Sequence, residues 1–154
     1  MTSKIEILQE MGLSIPVPAK PLAAYVPVQT IGSIAYTSGQ LPVKDGQILY
    51  SGKVGTDVSV GEAKIAAQLA ALNAIAAVTL VSGSIENITR IIKLTVFVHS
   101  AEDFTDQPEV ANGASELMIT LFGEDGKHAR SAVGVAQLPR NASVEIELIA
   151  EYIL

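Results

Sequence analysis

The chain has 154 residues, of which 49% are hydrophobic and 17% are charged, and its 10 basic and 16 acidic side chains give a net charge of −6. This length suits one domain with its own core, and the low charged fraction, against about 25% in average soluble proteins, favours a homo-oligomer. The acidic balance, the few aromatic residues and the absence of cysteine argue against nucleic-acid binding, thiol catalysis and a cysteine zinc site.

The first predicted element is a short helix over residues 4 to 11. Ser3 and Glu6 have the spacing of a capping box, and Gly12 supplies a left-handed stop. The segment mixes acidic and basic side chains and lacks the apolar core of a signal peptide. The apolar side of this helix is predicted to consist of Ile5, Leu8 and Met11.

Three prolines in residues 15–21 exclude a helix and predict an extended tether that carries Tyr25 into a strand. A second strand is predicted over residues 34–38. The turn sequence at residues 44–46, Lys-Asp-Gly, then leads into a third strand over residues 47–50. These strands are predicted to form a β-meander.

A long helix is predicted next, beginning at the capping box of Ser59 and Glu62 and ending at residues 82–84. One face carries apolar residues every three to four positions, and the other face is mostly alanine, which permits close contact. Because polar residues interrupt the apolar stretch 65–81, it falls short of a membrane span, and we expect a soluble cytoplasmic protein with no membrane partner. The interrupting residues are Gln68, Asn73 and Thr79.

Residues 91–99 have the two-residue period of a half-buried strand. The predicted apolar face carries Ile92, Leu94, Val96 and Val98, and the opposite face carries Lys93, Thr95 and His99.

The remaining elements are a helix from about Pro108 or Asn112 to Phe122, a loop at residues 123–126, and two strands over residues 131–136 and 143–152. The resulting order β-β-β-α-β-α-β-β predicts an α+β fold, in which an antiparallel-rich mixed sheet has two helices packed on one face. We expect a single domain over residues 1–154, with the helix and tether of residues 1–21 at its start.

A single Arg130 opens an apolar, strand-like run, and Glu145 lies early in the last strand. If these two strands pair, the two side chains could meet at one end of the sheet, where a guanidinium can grip a substrate carboxylate. On residue types alone, a surface arginine in an ion pair is the commoner case. Strand alternation likewise leaves Glu145 indistinguishable from Glu147, because both lie on one polar face.

Three ordered segments carry a more specific signal: Thr37-Ser38-Gly39-Gln40-Leu41-Pro42, Lys93-Leu94-Thr95-Val96-Phe97-Val98, and Ala129-Arg130-Ser131-Ala132-Val133 through Leu138-Pro139 to Val144-Glu145-Ile146-Glu147. They resemble the signature blocks of the RidA (YjgF) family, and the resemblance covers nearly everything from Tyr25 onward. It implies a chorismate-mutase-like subunit that forms homotrimers with ligand clefts between neighbouring subunits. The best-understood members hydrolyse reactive enamines and imines, such as 2-aminoacrylate, to the 2-keto acid and ammonia.

The resemblance also implies roles for individual residues. Arg130 matches the arginine that binds the substrate carboxylate, for which a planar fork of donors is suited. Glu145 matches the glutamate near the attacking water, where a carboxylate can orient the water and shuttle its proton. Tyr25 and Ser38, 13 positions apart, match cleft residues that supply hydroxyl groups around the ligand.

Two further positions match less directly. Asn112 corresponds to the asparagine of an Asn-x-x-Tyr-Glu pattern, although Ser115 stands where the family has tyrosine. Ala132 corresponds to a position at which the family uses a backbone carbonyl. The segment from Phe104 to His128 is longer than usual, and the N-terminal helix and tether extend beyond the short N-terminus of well-studied members, which is typical of a divergent branch.

His99 and His128 are the only histidines and lie far apart in the sequence, so no histidine-rich metal site is expected. His128 could line the cleft as a proton donor, but a solvated loop histidine is the commoner case and is our prediction.

The sequence thus predicts an enamine/imine deaminase that acts on a small carboxylate-bearing metabolite and needs no cofactor or metal. The alternative is a non-catalytic module that binds a keto acid or related metabolite in the same cleft. Ribonuclease activity, a third option attached to the family by name, is disfavoured by the acidic chain and by the lack of a basic or aromatic tract.

Overall fold

The computed structural model describes residues 1–18, 20 and 23–154 of the chain. Its helices and strands follow the predicted order, with one additional short strand. They are α1 (Lys4–Glu10), β1 (Val28–Ile31), β2 (Ile34–Thr37), β3 (Val43–Lys44), β4 (Gln47–Ile48), α2 (Val60–Ser82), β5 (Ile88–His99), α3 (Gln107–Phe122), β6 (Ala129–Val135) and β7 (Val144–Tyr152).

Five strands form one mixed sheet in the order β1-β2-β7-β5-β6. β5 pairs in parallel with β6 and antiparallel with β7, and the other pairs in this sheet are antiparallel. β3 and β4 form a separate two-stranded hairpin, so the predicted three-strand meander is wrong. Its turn is as predicted, because Asp45 and Gly46 both take the positive φ that such a tight turn requires, at 52° and 79°.

The helices α2 and α3 cover one face of the five-stranded sheet, which confirms the predicted α+β layer arrangement. Their packing is close: a Cβ at Gly113 of α3 would overlap the backbone carbonyl of Lys64 in α2. The facing side of α2 is rich in alanine, as predicted, and these residues are fully buried. Small side chains therefore allow the two helix backbones to approach each other.

α2 is long and apolar enough to span a membrane by length and composition, with a mean hydropathy of 1.8 over its most apolar window. The polar interruptions noted in the sequence therefore do not disqualify it. Its packing does indicate its role, since 67% of that window is buried inside the domain. α2 is therefore a core helix of this domain.

The N-terminal helix α1 is packed onto the rest of the domain. Both hydrogen bonds of its predicted capping box are present, and Leu8 is 1% exposed. Ile5, in contrast, is 45% exposed, so its predicted place on the buried side is wrong. Its backbone N–H donates to Glu86, and the ammonium of Lys4 lies 5.3 Å from the centre of the Phe122 ring.

The predicted tether falls partly outside the described residues, at positions 19 and 21. Tyr25 lies in a bend before β1 and is 53% exposed, so its predicted place in a strand is wrong. The first strand begins only at Val28, because the backbone pairs with β2 from that residue onward.

Strand β5 departs from strict alternation. A register shift between Ile91 and Lys93 places Ile91, rather than the predicted Ile92, on the buried face. His99 was predicted for the polar face but is only 4% exposed. The loop at residues 52–54 covers that end of the sheet, where the Val54 N–H donates to the His99 carbonyl.

The sheet consequently has two different faces. On the helix side, Leu94, Val96 and Val98 are buried against α2 and α3. The opposite side has no helical cover in the described part of the chain, and we refer to its exposed and partly exposed apolar residues as the open face. These residues are Ile31, Ile34, Tyr36, Phe97, Val133 and Ile149.

Candidate functional site

Arg130 lies near the start of the edge strand β6, opposite Leu94 of β5. Because paired residues point to the same face, its partly buried side chain extends toward the helix layer. There its Nη1 donates to Asn112 Oδ1 at 2.8 Å and to Ser115 Oγ at 3.2 Å. These two acceptors are three residues apart on α3 and thus share one helix face.

Asn112, which the sequence predicts to bind substrate, thus contacts Arg130 directly. Asn112 also donates from Nδ2 to Glu109 Oε2 at 3.1 Å, and the other Glu109 oxygen binds Lys64 Nζ at 2.8 Å. The hydrogen bond from Lys64 holds the pKa of Glu109 below its usual value. The carboxylate on one side and the guanidinium on the other orient the Asn112 amide, so its oxygen faces Arg130.

His128 is partly buried rather than solvated, and this corrects the prediction for it. Its Nε2 lies 2.8 Å from Ser115 Oγ and its Nδ1 lies 2.7 Å from the carbonyl oxygen of Gly126. Burial is the main cause that lowers the pKa of His128. The hydrogen bond to the Gly126 carbonyl raises this pKa, and the positive charge of Arg130 lowers it.

Ser115 and His128 were not predicted as site residues. Ser115 was noted only as a departure from the family pattern. Two signals were nevertheless available: Ser115 follows Asn112 by one helical turn, and His128 precedes Arg130 by two positions, the spacing of one strand face.

Arg130 retains donors for a ligand. A guanidinium has five N–H donors, and Nη1 carries two, one for each of its acceptors. The Nε and Nη2 donors have no hydrogen-bond acceptor among the described residues, and no carboxylate there forms an ion pair with Arg130. Nε–H and one Nη2–H are parallel, so they form a fork that matches the two oxygens of a carboxylate.

Glu145 lies in β7 opposite Phe97 and extends toward the open face. The structure separates it from Glu147, which the sequence could not: Glu145 is partly buried and Glu147 is exposed. Burial raises the pKa of Glu145, and the charge of Glu147 raises it further. Its carboxylate lies directly against Gly39, where a Cβ would overlap Glu145 Oε1.

Ser38 is hydrogen-bonded to the two residues that follow Tyr25 in the chain, and its hydroxyl is engaged in one of these bonds. The Ser38 hydroxyl donates to the Val26 carbonyl at 2.6 Å, and the Ser38 backbone N–H donates to Pro27. Ser38 therefore holds the bend that carries the exposed Tyr25. The adjacent Gly39 contacts Glu145, so these residues belong to the Glu145 side of the sheet.

Arg130 and Glu145 do not meet within one chain, because their strands do not pair with each other. β6 and β7 lie on opposite sides of β5, where Arg130 is level with Leu94 and Glu145 with Phe97. Their side chains also extend to opposite faces. Ala132 pairs with Val96 and lies on the same face of the sheet as Arg130. We call the residues on this face, Arg130, Asn112 and Ala132, the arginine half of the site.

No three His, Asp or Glu side chains among the described residues are grouped closely enough to hold a metal ion.

A family model described as "YjgF/chorismate_mutase-like, putative endoribonuclease" matches residues 6–152. The chain belongs to the RidA (YjgF) family. Protein TCP17 of Trypanosoma cruzi is 41% identical over 145 residues, which are 94% of this chain and 91% of TCP17. A 2-iminobutanoate/2-iminopropanoate deaminase of Dermatophagoides farinae is 31% identical over 137 residues, 89% of this chain and 92% of the deaminase.

Two solved structures share the fold. Protein Atu1372 of Agrobacterium tumefaciens, whose function is unknown, superposes with a TM-score of 0.90 at 46% identity, covering 97% of this chain and 92% of that one. E. coli TdcF with bound serine superposes with a TM-score of 0.60 at 30% identity, covering 89% of this chain and 94% of TdcF. The chorismate-mutase-like prediction for the fold is thus confirmed.

Proposed function

We propose that this RidA-family chain hydrolyses small reactive 2-imino or 2-enamino acids to 2-keto acids and ammonia. The observation that carries the proposal is the fork of Arg130, which has no acceptor among the described residues and is held in orientation by Asn112 and Ser115. A planar, conjugated imino acid bears a carboxylate that such a fork can fix by two parallel hydrogen bonds. The relatives named as 2-iminobutanoate/2-iminopropanoate deaminases support this substrate class.

Glu145 supplies the second half of the chemistry. Its carboxylate takes a proton from water as the water oxygen bonds to the imine carbon, and it then gives that proton to the imine nitrogen, which becomes an amine. In the collapse of the resulting carbinolamine, the hydroxyl proton passes through the same carboxylate to the amine, the C–N bond breaks, and ammonia leaves the keto acid. A base with a pKa raised above that of an ordinary carboxyl is better matched to this proton transfer near neutral pH.

The two halves point to opposite faces of one subunit, so the proposed site needs a second copy of the chain. In a cyclic homotrimer, the edge strand β6 of each subunit would approach the open face of the next, and each cleft would take Arg130, Asn112 and Ala132 from one subunit and Glu145, Ser38 and Tyr25 from its neighbour. The exposed apolar side chains of the open face, with Ile31 at 74% and Tyr36 at 42%, support such an interface.

A complementation experiment tests both the chemistry and the assembly. An imino acid is generated in the assay by a dehydratase, and keto-acid release is followed for the wild type and for the Arg130→Ala and Glu145→Gln variants. Each variant alone is expected to be inactive. Co-expressed in equal amounts, they should regain about a quarter of the wild-type activity, because random assembly leaves that share of clefts with both groups intact.

Absence of wild-type turnover with every small imino acid would reject the deaminase proposal. No recovery on co-expression, with trimers formed, would reject the shared cleft.

A non-catalytic binding module is the second candidate, and the TdcF structure with bound serine supports small-molecule binding in this fold. Ligand-dependent melting shifts without turnover would favour it, whereas multiple turnovers would exclude it as the sole function. Neither candidate needs a cofactor or metal, neither involves nucleic acid or membrane, and for both we propose the cytoplasm as the compartment.

A further inference from the structure

The hydrogen-bond directions around His128 follow from the chemistry of its two partners. The Gly126 carbonyl can only accept, so Nδ1 carries the proton and donates to it over 2.7 Å. In the neutral ring, Nε2 is then an acceptor. The Ser115 hydroxyl, 2.8 Å away, must donate to Nε2, which leaves its oxygen to accept from Arg130 Nη1 at 3.2 Å.

A continuous chain thus runs from the Gly126 carbonyl through His128 and Ser115 to the guanidinium. Each link depends on the direction of the previous one. If Ser115 donated elsewhere, its lone pairs would turn and the second acceptor of Nη1 would be misplaced. Asn112 alone would then hold the guanidinium, which could rotate about that single hydrogen bond.

We propose that Ser115 and His128 are positioning residues that fix the Arg130 guanidinium, so that its free fork faces the carboxylate of the substrate. This role rests on the proposed function of Arg130. It assigns a purpose to the serine that replaces the family's tyrosine and to a histidine two residues before the arginine. Neither residue touches the reacting atoms in this scheme.

The chain of hydrogen bonds from the Gly126 carbonyl through His128 and Ser115 to Arg130, which we call the relay, depends on a neutral His128. A protonated ring would present N–H at Nε2, and Ser115 could no longer donate to it. The ring would also place a second positive charge beside Arg130, the charged group that acts on His128. The other charged groups nearby already have partners: Lys127 pairs with Glu124, Asp125 with Arg90, and Glu109 with Lys64. Glu116 on α3 is exposed.

Paired variants test the relay by kinetics. Ser115→Ala and His128→Leu should raise KM for the imino acid about tenfold, the effect of losing one charge-assisted hydrogen bond, with kcat changed much less. Ser115→Thr keeps the hydroxyl and His128→Gln keeps an acceptor near the position of Nε2, so both should stay close to wild type. In the wild type, KM should also rise as the pH falls through the pKa of His128, and this rise should be absent in His128→Gln.

A second measurement does not need turnover. The chain has two histidines, so its imidazole ¹⁵N spectrum has two sets of signals, and His128→Gln identifies those of His128. The Nδ1–H tautomer is expected. Ser115→Ala should raise the pKa of His128, because the neutral ring loses its donor, and Arg130→Gln should raise it because a nearby positive charge is removed.

The outcomes separate the two proposals. If Arg130→Ala abolishes turnover while Ser115→Ala and His128→Leu leave KM unchanged, the relay is overturned and the deaminase proposal stands. If the wild type has no turnover, the deaminase proposal falls, and the titration alone decides the relay. An Nε2–H tautomer, or a His128 pKa that does not respond to Ser115→Ala and Arg130→Gln, overturns it.

Discussion

Arg130 and Glu145 extend from opposite faces of the same sheet, with β5 between their strands. Each lies in its own setting: the arginine against polar groups of α3, and the glutamate against Gly39. A single subunit therefore presents two halves of the proposed site on two surfaces. This arrangement makes assembly a condition of the proposed activity.

Replacing Arg130 should abolish carboxylate binding. Arg130→Ala is expected to lower kcat/KM by about 100-fold or more, because two charge-assisted hydrogen bonds to the substrate are lost at once. Arg130→Lys keeps the charge without the fork and should fall between the alanine variant and the wild type. Arg90→Ala is the matched control, since Arg90 is an exposed residue that forms a surface ion pair with Asp125. Equal losses in the control would contradict a specific role for Arg130.

Glu145 and Glu147 provide a matched pair on one strand. Glu145→Gln should lower kcat by about 100-fold or more, the usual contribution of a general base, whereas Glu147→Gln should have little effect. The wild-type kcat should fall as the pH decreases through the raised pKa of Glu145, because the carboxylate must be ionised to accept a proton. A pH profile of kcat for both variants checks this, and a large loss in Glu147→Gln would contradict the assignment.

The same raised pKa predicts an effect on stability. The folded protein binds the Glu145 proton more readily than the unfolded chain does, so the ionised carboxylate opposes folding at neutral pH. Stability contributed by this group is gained as the pH falls through the raised pKa. Glu145→Gln should therefore raise the melting temperature at pH 7 and change it less at acidic pH. Thermal unfolding at the two pH values measures this, and destabilisation at pH 7 would count against it.

Gly39 is needed to leave room for the Glu145 carboxylate. In Gly39→Ala, the added methyl group would overlap Oε1, so the carboxylate must move and catalysis should be lost. The overlapping atoms belong to the flexible end of the Glu145 side chain, so the loss of stability should be small. Gly61→Ala is the control, because its Cβ would have no neighbour closer than 4.0 Å. Turnover and urea unfolding are measured for both variants. A Gly39→Ala variant that keeps wild-type turnover would contradict the need for a glycine beside Glu145.

The N-terminal helix should contribute to stability through one side chain. Leu8 is 1% exposed, so Leu8→Ala is expected to cost about 2–5 kcal/mol of the free energy of unfolding. Ile5→Ala, on the exposed side of the same helix, should cost less than about 0.5 kcal/mol. Denaturant unfolding of the two variants measures the difference. Similar values for both would mean that α1 does not pack on the domain in solution.

Elements with local causes were predictable from the order of residues alone. The capping boxes at Ser3 and Ser59, the turn at Asp45 and Gly46, and the start of β2 at Ile34 depend on residues close together in the chain. The family blocks also led to Arg130, Glu145 and Asn112 as candidates, because motif spacing is itself a property of the sequence.

Contacts between distant segments set how these elements and residues are arranged in space. β5 lies between β6 and β7 through long-range pairing, and that pairing sends Arg130 and Glu145 to opposite faces. Burial beside Gly39, which comes from a distant segment, distinguishes Glu145 from Glu147. In the same way, His128 is linked to Arg130 only because α3 and β6 pack together. This packing places Ser115 between the His128 and Arg130 side chains. Contacts between distant segments leave no periodic signal in one sequence, and they decided the geometry of this site.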